Sequence, residues 1–161
     1  LNVGADRVIV NSQGLRNIEF IKDVKNTFGD QFISISIEAK KIDNTYFCMM
    51  DHGRENSNKT LTEWLKFLNN FSIGEIIVNS IDNDGMEIGF DNDIYEIVKN
   101  SNISVPKVIC GGASKKEDFL KILEHNEIEG IAAATCFHFK NVNISDLKKY
   151  LSLNRININN L

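Results

Sequence analysis

An apolar segment runs into a polar turn at residues 78–85, Val-Asn-Ser-Ile-Asp-Asn-Asp-Gly. The apolar part predicts a buried β-strand, and the Asn, Ser and Asp residues predict a loop that begins where the strand ends. The same design recurs at residues 108–114, Val-Ile-Cys-Gly-Gly-Ala-Ser, and at residues 131–135, Ile-Ala-Ala-Ala-Thr. Loops of this kind at the ends of strands are typical positions for ligand contacts.

Apolar strands of this type alternate with segments of helical periodicity along the whole chain. Strands are predicted at residues 8–10, 32–37, 76–78, 108–110 and 131–134, and helices at 18–28, 61–71, 94–98, 119–123 and 147–153. Strands that are separated by helices run parallel and are covered on both faces, which predicts an α/β fold of about five βα units. Residues 1–161 are expected to form one domain.

A long excursion separates the second strand from its helix. Residues 45–50, Thr-Tyr-Phe-Cys-Met-Met, are β-prone and are followed by Asp51, His52 and Gly53, which predicts a small hairpin. Thr60 and Glu63 have the spacing of a capping box and predict the start of the next helix.

The composition limits the classes of protein to which the chain can belong. Of its 161 residues, 42% are hydrophobic and 25% are charged, as in ordinary globular proteins. No apolar run approaches the roughly 20 residues that a membrane helix needs. The net charge of −4 argues against nucleic-acid binding, which depends on clustered Lys and Arg.

The cysteines and histidines indicate neither a disulfide framework nor a metal site. Cys48, Cys110 and Cys136 are odd in number and far apart, which predicts a reducing, cytoplasmic compartment. His52 lies in the predicted hairpin, where an exposed side chain is the more common case, and neither His125 nor His138 has metal-ligand spacing with it. We therefore expect no metal and no cofactor.

Two segments have the composition of a phosphate-binding site. Gly111 and Gly112 lie between a strand and a helix, where backbone without side chains lets N–H groups approach an anion, although a glycine pair alone is more often a tight turn. Ala134 and Thr135 combine small size with a hydroxyl group, and close packing of a barrel wall explains them equally well. The two segments follow adjacent strands, which favours a shared ligand.

Asn11 and Ser12 end the first strand in short polar donors. Residues 8–12 therefore resemble residues 132–136, as if one phosphate-binding segment had been duplicated. Glu38 ends the second strand and Asp84 follows the third, so both are expected at the mouth of the fold, where they can exchange protons with a substrate. Carboxylates at strand ends are also common as helix caps and ion-pair partners, and the sequence leaves this alternative open.

At these residues the chain resembles the cyclase subunit of imidazole glycerol phosphate synthase, a family of (β/α)8 TIM barrels. The motifs that carry the resemblance are at residues 4–12 (Gly-Ala-Asp-Arg-Val-Ile-Val-Asn-Ser), 74–85 (Gly-Glu-Ile-Ile-Val-Asn-Ser-Ile-Asp-Asn-Asp-Gly), 111–113 (Gly-Gly-Ala) and 133–139 (Ala-Ala-Thr-Cys-Phe-His-Phe). The resemblance implies a partial barrel that is truncated at its N-terminus, because a complete one needs eight strands and about 250 residues. Leu1 is accordingly expected to be an interior residue of a longer protein.

The resemblance also implies a function in histidine biosynthesis. Family members are carbon–nitrogen lyases that take ammonia from a glutaminase partner. They convert a bis-phosphorylated formimino ribulosyl carboxamide ribonucleotide to imidazole glycerol phosphate and an aminoimidazole carboxamide ribotide. The family's first catalytic Asp lies in strands that precede this sequence, so the five units alone are expected to be inactive.

By position, the resemblance assigns the predicted loops to two phosphate sites. Their residues are Asn11 and Ser12 for one site, and Gly111, Gly112, Ala134 and Thr135 for the other. Asn79 and Asp84 line the mouth of the barrel, and Arg7 and Glu75 match the charged ring at its bottom through which ammonia enters.

The chain departs from the family at the second catalytic carboxylate. Glu38 stands where the family has Asp, and one additional methylene shifts the carboxylate oxygens by about an ångström, which can cost on the order of a hundredfold in rate. After Gly53 the usual Thr-Gly is missing, and Met86 and Glu87 replace the usual residues after Gly85. Changes at this rim can alter substrate choice.

Two other functions are compatible with the sequence. One is that of a paralogue that works with an amidotransferase-like partner in sugar amidation for surface-polysaccharide biosynthesis. Asn79 and the altered loop fit that branch, whereas residues 137–151 fit the histidine branch better. The other is a catalytically degenerate half-barrel that binds phosphate or a partner without turnover.

Overall fold

The computed structural model describes residues 4–124 and 126–158, and one mixed sheet forms its centre. The strands are β1 (Val8–Val10), β2 (Ile33–Ile42), β3 (Thr45–Met50), β4 (Glu55–Thr60), β5 (Glu75–Ser80), β6 (Lys107–Cys110) and β7 (Gly130–Ala132). The helices are α1 (Ser12–Arg16), α2 (Ile18–Phe28), α3 (Leu61–Leu68), α4 (Asn92–Lys99), α5 (Lys116–Leu123), α6 (Thr135–His138) and α7 (Ile144–Leu153), with a 3-10 turn at Asp30–Phe32.

Five of the strands are parallel and lie side by side in the order β1, β2, β5, β6, β7. Helices follow each of them in the chain, directly or after the hairpin in the case of β2. All five carboxyl ends therefore meet at one edge of the sheet. This architecture confirms the predicted α/β fold, a partial (β/α)8 barrel of five βα units.

The two faces of the sheet have different surroundings because side chains alternate along each strand. On one face, Ile35, Ile76, Val78 and Ile109 are at most 1% exposed, in the same core as helix residues such as Leu65. On the other face, Ile9 is 62% exposed. The helices thus cover one face of the sheet, whereas the sequence pattern predicted that both faces are covered. In the described part of the chain, no helix combines the length and hydrophobicity that crossing a bilayer requires.

The predicted hairpin is present as β3 and β4. β3 pairs antiparallel with the second half of β2, and β4 pairs antiparallel with β3. The sequence predicted that β2 ends at Ile37, and this prediction is wrong by five residues. The strand continues to Ile42 because its second half pairs with β3. β4 has the polar sequence Glu-Asn-Ser-Asn-Lys-Thr and is a strand only because β3 pairs with it.

The predicted strand at residues 131–134 is too long at its carboxyl end. β7 ends at Ala132, because the carbonyl group of Ala134 already accepts hydrogen bonds from the N–H groups of Phe137 and His138, at 3.1 and 2.9 Å. These bonds form the first turn of α6, a short helix that the apolar pattern does not indicate.

The predicted capping box at the start of α3 is confirmed. The Thr60 Oγ1 accepts a hydrogen bond from the Glu63 N–H at 3.2 Å, and the Glu63 Oε2 accepts one from the Thr60 N–H at 2.9 Å. Two of the N–H groups that a helix start leaves without partners are thereby satisfied. The buried face of α3 carries Trp64, Leu65 and Leu68, as the periodicity predicts.

We expect Thr60→Ala to lower the free energy of unfolding by about 1 kcal/mol, since it removes the acceptor for the first turn of α3. Urea unfolding followed by the fluorescence of Trp64, the single tryptophan, measures this. The matched control is Thr62→Ala, an exposed position inside the same helix, where the change should stay within about 0.5 kcal/mol. Equal effects of the two substitutions would contradict the role of the cap.

The capping box also predicts a pH dependence through Glu63. Its pKa is lowered, mainly because the carboxylate accepts the hydrogen bond from the Thr60 backbone. A carboxylate whose pKa is lower in the folded than in the unfolded state stabilises the fold above its ordinary pKa. This stabilisation is lost as the pH falls through the folded-state pKa. Glu63→Gln should therefore weaken the fold at pH 7, and the difference from the parent should shrink on acidification in a series of urea titrations. A difference that is constant with pH would count against this cap.

Candidate active site

Four parallel strands carry one row of residues near the end of their parallel pairing, although β2 itself continues beyond Glu38 to Ile42. Glu38 of β2 lies in register with Asn79 of β5. Asn79 lies in register with Cys110 of β6, which in turn pairs with Ala132 of β7. Residues in register share a face of a sheet. This is the face that the helices leave uncovered, because the alternating residues of these strands are in the core.

A narrow cleft beside this row brings together five of the predicted site residues, namely Asp84, Gly111, Gly112, Ala134 and Thr135. Gly85, Cys110, Ala113 and Ala133 complete its lining. The two loops that the sequence predicts to share a ligand therefore lie side by side. Cys110 was missed as a site residue, although it directly precedes the glycine pair. The pKa of the Cys110 thiol is raised, mainly by burial and also by the negative charge of Asp84.

The glycine pair of this cleft is required by backbone packing. Gly111 has φ +93°, and a Cβ atom there would lie 2.7 Å from both the Asn79 Oδ1 and the Ser80 carbonyl oxygen. Gly112 has φ +102°, and a Cβ atom there would overlap the carbonyl oxygen of Gly89. The Gly112 carbonyl in turn accepts a hydrogen bond from the Gly89 N–H at 2.8 Å. The close fit leaves the floor of the cleft made of backbone atoms.

Asn79 and Asp84 contact each other at the mouth of the cleft. The Asn79 Nδ2 donates a hydrogen bond to the Asp84 Oδ2 at 3.3 Å. The Asn79 Oδ1 is buried and has no hydrogen-bond donor among the described residues. The amide is therefore oriented by Asp84 on one side and packs against Gly111 on the other.

The turn of the β3–β4 hairpin lies against the other predicted residues of the rim. The Glu38 Oε2 accepts a hydrogen bond from the Gly53 N–H at 3.2 Å, and the Ser12 Oγ accepts one from the Asp51 N–H at 2.9 Å. The Oδ1 atom of Asn11, at the end of β1, is buried and unpaired within residues 4–124 and 126–158. Asp51 and Gly53 were not predicted as site residues, because their partners are distant in sequence.

An ion-pair network supports this turn. The Arg16 Nη2 lies 2.6 Å from the Asp51 Oδ2 and 2.6 Å from the Glu55 Oε2. The Arg16 guanidinium holds the pKa of the Asp51 carboxyl below its usual range. His52, between the two amide donors, is exposed.

Arg7 and Glu75 lie at the amino ends of the parallel strands, on the side away from the cleft. Arg7 directly precedes β1, and Glu75 is the first residue of β5. The Arg7 Nη1 is 2.8 Å from the Glu75 Oε2, and the Glu75 Oε1 accepts a hydrogen bond from the Ser34 hydroxyl at 2.6 Å. Glu75 opens β5, whereas Asn79 and Asp84 lie toward and beyond its end. This pair is therefore separate from the cleft.

Within residues 4–124 and 126–158, no group of three or more His, Cys, Asp and Glu side chains is arranged to hold a metal ion. The described cysteines are not paired with one another, and burial raises the pKa of Cys48 to about 12. His125 lies outside the described residues, as does Leu1.

Comparisons with known proteins show the family of the chain. The family described as histidine biosynthesis protein matches residues 1–143. The chain is 35% identical over 159 residues to the imidazole glycerol phosphate synthase subunit HisF of Hydrogenobaculum sp. (strain Y04AAS1), covering 98% of the chain and 63% of that protein. It is 37% identical over 153 residues to the protein of the same name from Natranaerobius thermophilus, covering 94% and 60%.

A third relative of this name, from Campylobacter concisus, is 35% identical over 158 residues, covering 98% of the chain and 62% of the relative. The chain thus spans about three fifths of the length of the curated relatives that it matches.

The packing of the cleft predicts different costs for two glycine substitutions. Gly85 also has a positive φ, +77°, but no atom lies within 4 Å of a Cβ placed there. Gly85→Ala should cost about 1–2 kcal/mol, from the left-handed backbone alone. Gly112→Ala adds the overlap with Gly89 and should cost about 1–3 kcal/mol more. Urea unfolding of both variants measures the difference, and similar costs would contradict the close approach of the two loops.

Proposed function

Since the chain belongs to the histidine biosynthesis protein family, we propose that it acts as the cyclase subunit of imidazole glycerol phosphate synthase. In this role it uses ammonia from a glutaminase subunit to form imidazole glycerol phosphate and aminoimidazole carboxamide ribotide. The observation that carries the proposal is the cleft at the carboxyl ends of β6 and β7, with Asp84 at its mouth.

We assign one phosphate of a doubly phosphorylated substrate to the loops that line this cleft. Gly111 and Gly112 contribute only backbone to its lining, and Thr135 adds a hydroxyl group. Backbone N–H groups that no side chain covers are effective phosphate ligands. The other phosphate binds at Asn11 and Ser12. The Ser12 oxygen already accepts a hydrogen bond from the Asp51 N–H, so its hydroxyl hydrogen is available to donate to a phosphate oxygen.

Glu38 and Asp84 supply the proton transfers of the reaction. Both carboxylates accept a hydrogen bond from a neutral donor, Gly53 N–H for Glu38 and the Asn79 amide for Asp84. Neutral donors orient a carboxylate without cancelling its charge, so each can accept a proton from the substrate. Asn79 therefore has a positioning role beside the reacting carboxylate.

Ammonia enters from the other end of the strands. The Arg7–Glu75 pair lies there, with side chains 48% and 20% exposed, so it is accessible for a partner subunit. We assign the glutaminase to this end, and the pair gates the passage of ammonia. The substrate and the partner then occupy opposite ends of the parallel strands.

One observation favours a second candidate function. Asn79, which fits the sugar-amidation branch by sequence, donates its amide to Asp84 beside the proposed site of reaction. This is compatible with a related reaction, the use of ammonia to amidate a sugar precursor of surface polysaccharides. The identities of 35–37% to histidine-pathway relatives favour the first function.

The test uses the protein from its full reading frame, with ammonium chloride and the bis-phosphorylated substrate, and measures formation of imidazole glycerol phosphate. We expect Asp84→Asn and Glu38→Gln each to lower kcat by about 10²–10⁴-fold, because each removes a proton acceptor. The matched control is Asp93→Asn, an exposed carboxylate that pairs with Lys41 away from the cleft and should retain parental activity.

Retention of full kcat in both site variants would overturn the assigned roles. A parent that binds the substrate without turnover would instead identify a degenerate phosphate-binding barrel. Turnover of a sugar precursor in place of the histidine-pathway substrate would establish the second function.

A further inference from the structure

The turn between β3 and β4 donates backbone hydrogen bonds to two residues of the candidate active site. These are the bonds from Gly53 N–H to the Glu38 carboxylate and from Asp51 N–H to the Ser12 hydroxyl oxygen, at 3.2 and 2.9 Å. The two amides come from one tight turn, so any movement of the turn shifts both bonds together. The orientation of the Glu38 carboxylate therefore depends on the conformation of the hairpin.

The turn has an unusual backbone. Asp51, His52 and Gly53 are consecutive residues with φ values of +50°, +59° and +77°. Non-glycine residues rarely adopt this left-handed conformation, and such conformations persist only where surrounding contacts hold them. The bond from Arg54 N–H to the Met50 carbonyl closes the turn at 3.0 Å.

Arg16 binds both ends of this turn. Its Nη1 and Nη2 donate to the two oxygens of Asp51, at 3.2 and 2.6 Å, and Nη2 also donates to the Glu55 Oε2 at 2.6 Å. Arg16 ends α1, the helix that begins with Ser12, so it joins the hairpin to the loop after β1. A two-point contact of this kind fixes direction as well as distance.

The network is too exposed to be important for stability. The side chains of Arg16, Asp51 and Glu55 are 42%, 51% and 52% exposed. Exposed ion pairs contribute little to the free energy of unfolding, because water and salt screen them. Their geometry nevertheless selects one position for the turn, which is the property that the Glu38 carboxylate needs.

We propose that Arg16 is a positioning residue for Glu38, acting through Asp51, Glu55 and the amide of Gly53. The inference rests on the proposed acid/base function of Glu38. A glutamate has one more rotatable bond than an aspartate, so its carboxylate needs an additional contact to remain in one orientation. The Gly53 N–H provides this contact, and Arg16 holds the Gly53 N–H in place.

A double-mutant cycle in the protein from its full reading frame tests this coupling. Arg16→Met should lower kcat by about tenfold, because a carboxylate displaced by a fraction of an ångström reacts poorly. In a Glu38→Asp background, the shorter side chain does not reach Gly53, so Arg16→Met should have little further effect. Independent, multiplicative losses in the double variant would overturn the proposal.

Two further variants separate positioning from a general structural effect. Arg16→Lys keeps the charge but loses the two-point contact, so it should restore only part of kcat. Lys22→Met is the matched control, since Lys22 forms a similar exposed pair with Glu19, 2.6 Å away on α2. It should leave kcat unchanged, and a loss equal to that of Arg16→Met would show that surface charge alone is responsible.

A second measurement is independent of catalysis. Amide hydrogen exchange by NMR should show Gly53 and Asp51 exchanging about tenfold faster in Arg16→Met, with strand amides such as that of Val78 unchanged. Faster exchange in a protein without cyclase activity would support the Arg16 contact and reject the proposed function. Unchanged exchange at Gly53 would reject the Arg16 contact whatever the activity.

Discussion

Parallel hydrogen bonding between β2, β5, β6 and β7 is the constraint on which the candidate site depends. The pairing sets Glu38 beside Asn79, and Asn79 beside Cys110, on one face of the sheet. Side chains alternate with a period of two, so a slip of one residue would turn Glu38 into the helix-covered core. Residues such as Ile37 and Val78, which are fully buried on the opposite face, oppose any such slip.

The loops beyond the strands depend on close contact between backbones. Gly111 and Gly112 have no side chain because the carbonyl groups of Ser80 and Gly89 occupy the space where a Cβ would be. This packing involves protein atoms alone, so the glycines have a structural reason that is independent of phosphate binding. It also leaves glycine backbone without side chains in the lining of the cleft, and the same geometry therefore serves folding and the proposed binding of an anion.

The hairpin adds a constraint that the βα units alone do not provide. β3 extends β2 beyond the sheet of parallel strands, and the turn that follows returns to the rim beside Glu38 and Ser12. Glu38, which lies inside β2, thus has a second element to orient its carboxylate. Function on this type of fold varies mainly in such loops, because the barrel beneath them tolerates change at the rim.

The amino-acid sequence alone determined the features that depend on neighbouring residues. Apolar runs marked the parallel strands, Thr60 and Glu63 marked the start of α3, and residues at strand ends marked the cleft. The tertiary structure alone decided that a polar segment becomes β4, and that Arg16 meets Asp51 and Glu55, 35 and 39 residues away. Local patterns report burial and helix or turn preference, whereas a hydrogen bond between distant segments exists only once the whole sheet has brought them together.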